Sequence, residues 1–144
     1  MEKVKEVPYG VADFVTVMEQ NLYYVDKTMF IPELEKQPRN LFFIRPRRFG
    51  KSIFLSMLHS YYDCNQSAKF QSLFGNLWIG QHPTESQGKY QVLFLDFSQV
   101  SGNIDSLERN FDFYCSVKLD GFMRRYGESY SEETREKVRK AEYA

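Results

Sequence analysis

The sequence predicts a three-layer α/β/α fold built on a parallel sheet, and three stretches carry that prediction. LFFI (41–44) and VLFLDF (92–97) are short, continuous apolar runs bounded by polar or turn-forming residues, the pattern of strands covered on both faces. Between them, SIFLSMLHSYY (52–62) sets Ile53, Met57 and Tyr61 four apart, with Phe54 and Leu58 also at helical spacing, as a largely buried helix requires. Two parallel strands joined through a helix imply a right-handed crossover.

The other elements follow along the chain. VADFVTVMEQ (11–20) reads as a short helix, and NLYYVDKTMFIPELEK (21–36) as an extended entry followed by a second one. Asp26 or Thr28 would accept from the first-turn amides of that second helix, and Pro32 suits only its opening turn. AKFQSLFGNLWIGQHPTES (68–86) is interrupted by Gly75, Gly80 and Pro83 and holds no sustained period, so it reads as short elements and turns. Leu107, Phe111, Tyr114, Cys115, Leu119, Phe122 and Tyr126 recur at steps of three and four, an amphipathic helix over 105–126. SEETREKVRKAEYA (131–144) opens with an imperfect capping box, Ser131 and Thr134, and spaces Glu133 with Lys137 and Glu136 with Lys140 as supporting pairs of a solvated helix. With two strands evident, the sheet is expected to be incomplete at its C-terminal side. Its edges would be covered by the remainder of a longer protein or by self-association with a second subunit.

Composition narrows the functional classes. The 144 residues suffice for one domain with a core, or for part of a larger one. Nineteen basic and 19 acidic side chains cancel, so no global field draws the chain to nucleic acid or membrane. Aromatic content of 17% with 42% apolar residues argues for a folded chain. No stretch approaches the roughly 20 apolar residues of a membrane span and none resembles a signal peptide, so a cytoplasmic location with no membrane partner is expected. Cys64 and Cys115 lack metal-type spacing and read as free thiols. His59 and His82 are isolated, and no Ser-His-Asp arrangement can be argued.

RPRRFGKS (45–52) joins the first run to the helix and has the parts of a phosphate-binding loop. Such a loop needs inward backbone amides, a helix whose positive end faces the anion, a flexible cation and a hydroxyl for Mg²⁺. Arg47, Arg48, Phe49, Gly50, Lys51 and Ser52 are the candidate cofactor-binding residues. Gly50 lets the backbone approach without a Cβ, Lys51 would reach the outer phosphates, and Ser52 would ligate the metal. Arg45 stands where G-x-x-x-x-G-K-S begins with glycine, and Pro46 holds it extended while removing one donor. A Pro-Arg-Arg turn ending in Gly-Lys-Ser needs no ligand of its own. Two observations favour an anion site: the flanking run and helix, and a cluster of Lys36, Arg39, Arg45, Arg47, Arg48 and Lys51 with no acid between Lys36 and Asp63.

Five blocks in order suggest a family: PYGVADF (8–14), YYVDKTMFIPELEK (23–36), FFIRPRRFGKSIFLSML (42–58), FQSLFGNLWIG (70–80) and VLFLDFS (92–98). Over roughly residues 6–126 the chain resembles the AAA-ATPase-like domain of bacterial proteins that often carry a PD-(D/E)XK nuclease-like domain farther along. The resemblance implies a P-loop NTPase-like fold, of which residues 1–144 would be the N-terminal portion of a single domain, with ATP and Mg²⁺ as cofactors. It also implies that R-P-R-R-F-G-K-S is the family's own loop variant. The L-I-D-E-Y-D form of the Walker B strand, expected after the long helical region, is not found in this chain, so no catalytic residue is assigned and hydrolysis by this stretch alone is not expected. Asp96 in VLFLDFS would belong to the strand after the loop helix, and reads as a structural cap of the following turn.

Two other classes stay open. Arg45, Arg47 and Arg48 would grip nucleic acid phosphates in a non-catalytic module, although one short basic cluster offers few contacts. A scaffold contacting a protein partner would instead expose apolar surface. The aromatic trio Tyr23, Tyr24 and Phe30 reads as core, and Lys27 as a weak site candidate.

Overall fold

The computed structural model describes residues 4–44 and 46–140, with side chains through Val138. Helices and irregular segments make up these residues, and no strand occurs among them. The parallel sheet is therefore a wrong expectation, and with it the crossover and the three-layer α/β/α arrangement. A strand exists only where a neighbour satisfies its amides and carbonyls, and among the described residues neither apolar run forms a strand ladder with another segment. Phe42 and Ile44 of the first run are 93% and 88% exposed. In the second, the Val92 and Asp96 amides donate to the hydroxyls of Tyr126 and Tyr114, at 3.3 and 2.5 Å. Parallel pairing among the described residues is confined to a single bridge between Asp63 and Tyr90.

The chain divides into two compact units, one ending at Tyr90 and one beginning at Gln91. The first contains α1 (Phe14–Glu19), a 3₁₀ turn (Thr28–Phe30) running into α2 (Ile31–Glu35), α3 (Lys51–Tyr62), a 3₁₀ stretch (Cys64–Lys69) running into α4 (Phe70–Phe74), and α5 (Trp78–Gln81). Its core joins Phe14, Ile31, Phe54, Met57, Tyr61, Leu73, Phe74, Leu77 and Ile79. Each large apolar side chain buried this way contributes about 1.5–3 kcal/mol relative to exposure. Aromatic contacts set the geometry: Phe14 stacks on Phe74 at 4.9 Å between centroids, and Tyr61 meets Phe74 edge-on at 5.6 Å.

Polar side chains fix where these short helices begin. Asp13 caps α1 by accepting from the Thr16 amide at 2.8 Å, and it also accepts from the Ser56 hydroxyl on α3 at 3.1 Å. Ser56 in turn accepts from the Phe14 amide at 3.0 Å, which clasps α1 to α3. Asp26 accepts from the Thr28 amide and hydroxyl at 2.8 and 2.7 Å, and its other oxygen accepts from the Trp78 amide at 2.7 Å. The buried Thr28 hydroxyl accepts from the Ile79 amide at 3.1 Å. The sequence assigns Asp26 or Thr28 to the first-turn amides of the adjacent helix, but α2 opens without a side-chain cap; Asp26 accepts from Thr28 in the preceding 3₁₀ turn, and the two residues satisfy first-turn amides of α5, some fifty positions later.

In the second unit, α6 (Ile104–Tyr126) occupies the predicted amphipathic helix almost residue for residue, opening on Asn103, whose side chain accepts from the Ser106 amide at 3.0 Å. Phe97 packs on Phe111 at 5.4 Å. Asp96 caps the 3₁₀ turn Phe97–Gln99, accepting from the Ser98 amide at 3.1 Å and hydroxyl at 2.6 Å. Hydrogen bonds from Ser98 hold its carboxyl below the usual carboxylate range. α7 (Glu132–Lys140) forms over much of the predicted solvated helix, with Lys137 and Glu133 at 2.7 Å; the Lys140 side chain of the second expected pair lies outside the described residues. Among the described residues no helix is long and apolar enough to cross a membrane.

Candidate functional site

The predicted phosphate loop lies in the first unit, and its backbone makes two reversals before α3. Arg48 has φ of 65° and Gly50 a φ of 74°, both left-handed. Gly50 adopts this conformation without the penalty a Cβ brings, whereas Arg48 bears a cost of roughly 1–2 kcal/mol. α3 then starts at Lys51, so the Lys51, Ser52 and Ile53 amides fall in the first turn and have no intrahelical carbonyl to reach. With 12 residues, α3 also has enough length for its N-terminus to carry a substantial positive end.

Arg47, Arg48, Gly50, Lys51 and Ser52 line one wall of a cleft of about 700 Å³. Its opposite wall comes from Val7, Pro8, Tyr9, Gly10, Val11 and Ala12, and no acidic side chain lines it. Phe49, the sixth predicted residue, faces elsewhere: with Lys27, Phe30, Leu34, Phe43 and Phe54 it lines a smaller apolar cavity of about 260 Å³ that shares Gly50 with the cleft. Arg45 lies outside the described residues. The Lys51 ammonium donates to the Pro46 carbonyl at 2.9 Å, across the mouth of its own loop. Ser52 is exposed at the first turn of α3.

Chemically, this arrangement offers amides at a helix start, two guanidinium groups, an ammonium and a hydroxyl, all suited to phosphate oxygens. The donor set fits Mg²⁺ in one respect: Ser52 supplies a hard oxygen, and the remaining ligands would have to come from phosphate and water. Two contributions escaped sequence reasoning. The 7–12 segment reaches the loop through folding alone, and Lys27, ranked as a weak candidate, is brought up to Gly50. Its Nζ stands 3.7 Å from where a Cβ on Gly50 would be. Neither position has a periodic or spacing cue linking it to 45–52.

The histidines prove to be built into helix ends. His59 faces Asp63 at 3.3 Å near the end of α3, and the His82 ring stacks on Trp78 at 4.4 Å. Tyr24 packs edge-on against Phe14, but Tyr23 and Phe30 of the predicted aromatic core are exposed.

The left-handed Gly50 thus opens a helix whose first residues, Lys51 and Ser52, line a cleft together with Arg47 and Arg48. The chain belongs to the AAA-ATPase-like family, described as predicted AAA-ATPase, whose sequence model matches residues 8–143. It is similar to a protein of Azotobacter chroococcum mcd 1 described as "Uncharacterized protein in vnfD 5'region", with 43% identity over 87 residues. That similarity covers 55% of this chain and 16% of the relative's length. No solved structure matches the chain.

Proposed function

We propose that the 45–52 loop binds the phosphates of ATP together with Mg²⁺. The observation that carries this reading is the conjunction at α3: Gly50 left-handed, Lys51 and Ser52 in the first turn, and all three facing a cleft without acidic lining. In this reading the first-turn amides and the helix dipole hold phosphate oxygens, and Arg47 and Arg48 add charge at the rim. Lys51 exchanges the Pro46 carbonyl for a phosphate oxygen, a stronger, charge-assisted partner. Ser52 contributes one oxygen to the metal, which neutralises phosphate charge when bound. Val7, Pro8, Tyr9 and Val11 provide apolar surface within the same cleft for the less polar part of the nucleotide. Because the cleft lining includes no carboxylate to orient a water, the proposed role of this stretch is binding, with hydrolysis left to residues beyond those described.

Nucleotide titration by calorimetry tests the reading, comparing the wild-type chain with Lys51→Ala, with and without Mg²⁺. Wild type should bind ATP and Lys51→Ala should bind it at least tenfold more weakly, the loss of roughly one charged hydrogen bond. Equal responses from the two proteins would sink the proposal.

A further inference from the structure

We propose that Lys27 is a second cation of the phosphate site, approaching the bound anion from the far side of Gly50. The inference rests on the phosphate-binding reading of the loop and adds to it a residue that the loop motif does not contain.

Lys27 is half-buried, with its ammonium beside the glycine that opens α3. Its neighbours in the chain are anchored: Asp26 is held through Thr28 and the Trp78 amide, and Thr28 through the Ile79 amide. The backbone that carries Lys27 is thereby fixed to α5 on both sides. Such anchoring sets the starting point of the side chain and lowers the conformational entropy its ammonium loses on meeting a ligand.

The nearby carboxylates do not claim it. Both oxygens of Asp26 serve the Thr28 and Trp78 donors, and Glu33, which lines the same cavity as Lys27, is paired with Lys36 at 2.8 Å. No ion pair to Lys27 occurs among the described residues. Apart from Gln37 and Gly50, the rest of that cavity is apolar, formed by Phe30, Leu34, Phe43, Phe49 and Phe54. An ammonium partly removed from water, set against aromatic side chains and lacking a carboxylate, gains more from an arriving anion than an exposed lysine does. At Gly50 it meets the same ligand as the first-turn amides of α3, and the missing Cβ leaves the approach open.

The pair of lysines also differs in readiness. Lys51 must leave the Pro46 carbonyl to reach a phosphate, whereas Lys27 has no such acceptor among the described residues.

The test measures binding of ATP and of inorganic pyrophosphate to the wild type, Lys51→Ala, Lys27→Met and Lys27→Arg, with thermal unfolding recorded for each. Lys27→Met should weaken both ligands roughly tenfold or more, while unfolding near the wild-type temperature because the ammonium holds no part of the fold. Lys27→Arg should recover most of the lost affinity. If Lys51→Ala loses binding and Lys27→Met retains it within about twofold, the role of Lys27 is overturned and the loop reading stands. If Lys27→Met loses affinity only in step with a lowered unfolding temperature and Lys27→Arg restores neither, the residue is structural and the proposal fails. If the wild type binds neither ATP nor pyrophosphate, both readings fall together.

Discussion

Asp13 accepts hydrogen bonds from the Thr16 amide, the Thr16 hydroxyl and the Ser56 hydroxyl, so one carboxylate both starts α1 and docks it on α3. Partial burial pushes its pKa up, but the Thr16 and Ser56 hydrogen bonds and the nearby His59 outweigh that effect and hold it below the ordinary 3.8. A carboxyl depressed in the folded state adds stability that is fully present above the unfolded pKa and vanishes as pH falls through the lower folded value. Urea unfolding of wild type and Asp13→Asn should therefore differ above about pH 4 and converge as pH drops below 3.8. A constant difference across that window would contradict the assignment. At the same scale, the placement of Gly50, Lys51 and Ser52 at a helix start was legible because it is local to one turn. The approach of Lys27 to Gly50 was not, because it is made by anchoring Asp26 and Thr28 to a helix start that no nearby residue announces.

Among the elements, α3 and α6 follow directly from their apolar spacing, since a helix supplies its own hydrogen bonds and its apolar stripe is written at three- and four-residue steps. α4 and α5 are short, and their existence depends on tertiary support. Gly80 shows the constraint: a Cβ there would collide with the Phe74 carbonyl, standing 2.7 Å from its carbon. That close approach lets α5 fold back on α4 and brings buried Ile79 to the core. Gly80→Ala should lower the unfolding free energy by roughly 1–3 kcal/mol, the usual cost of overpacking. An unchanged denaturation midpoint would show that the turn can relax. In the sequence Gly80 marks only an interruption of the aromatic pattern; that it permits contact, where it might merely break a helix, depends on which backbone lies opposite.

For the whole molecule, the apolar runs 41–44 and 92–97 decide the fold class. Read as buried strands they demand a sheet, but among the described residues their backbones find no strand partners, and much of their apolar surface stays open to solvent. Because Phe42 and Ile44 are exposed, changing both to serine should alter stability by less than about 0.5 kcal/mol per site. The same changes in a buried strand would cost about 2–5 kcal/mol each. Urea unfolding separates these cases, and binding of a hydrophobic dye should fall in the double variant if the run is exposed. A loss of several kcal/mol would restore the run to a core.

By itself the sequence determined the helices whose period is internal, the capping at Ser131, and the loop in which glycine, lysine and serine meet the start of α3. Each depends on neighbours within a few positions, where bond geometry and side-chain chemistry suffice. Tertiary structure decided whether the apolar runs pair, which helix Asp26 and Thr28 cap, and which residues face the loop across the cleft. Those outcomes depend on partners tens of positions away, and apolarity states only that a residue should leave water, without naming the surface that will receive it.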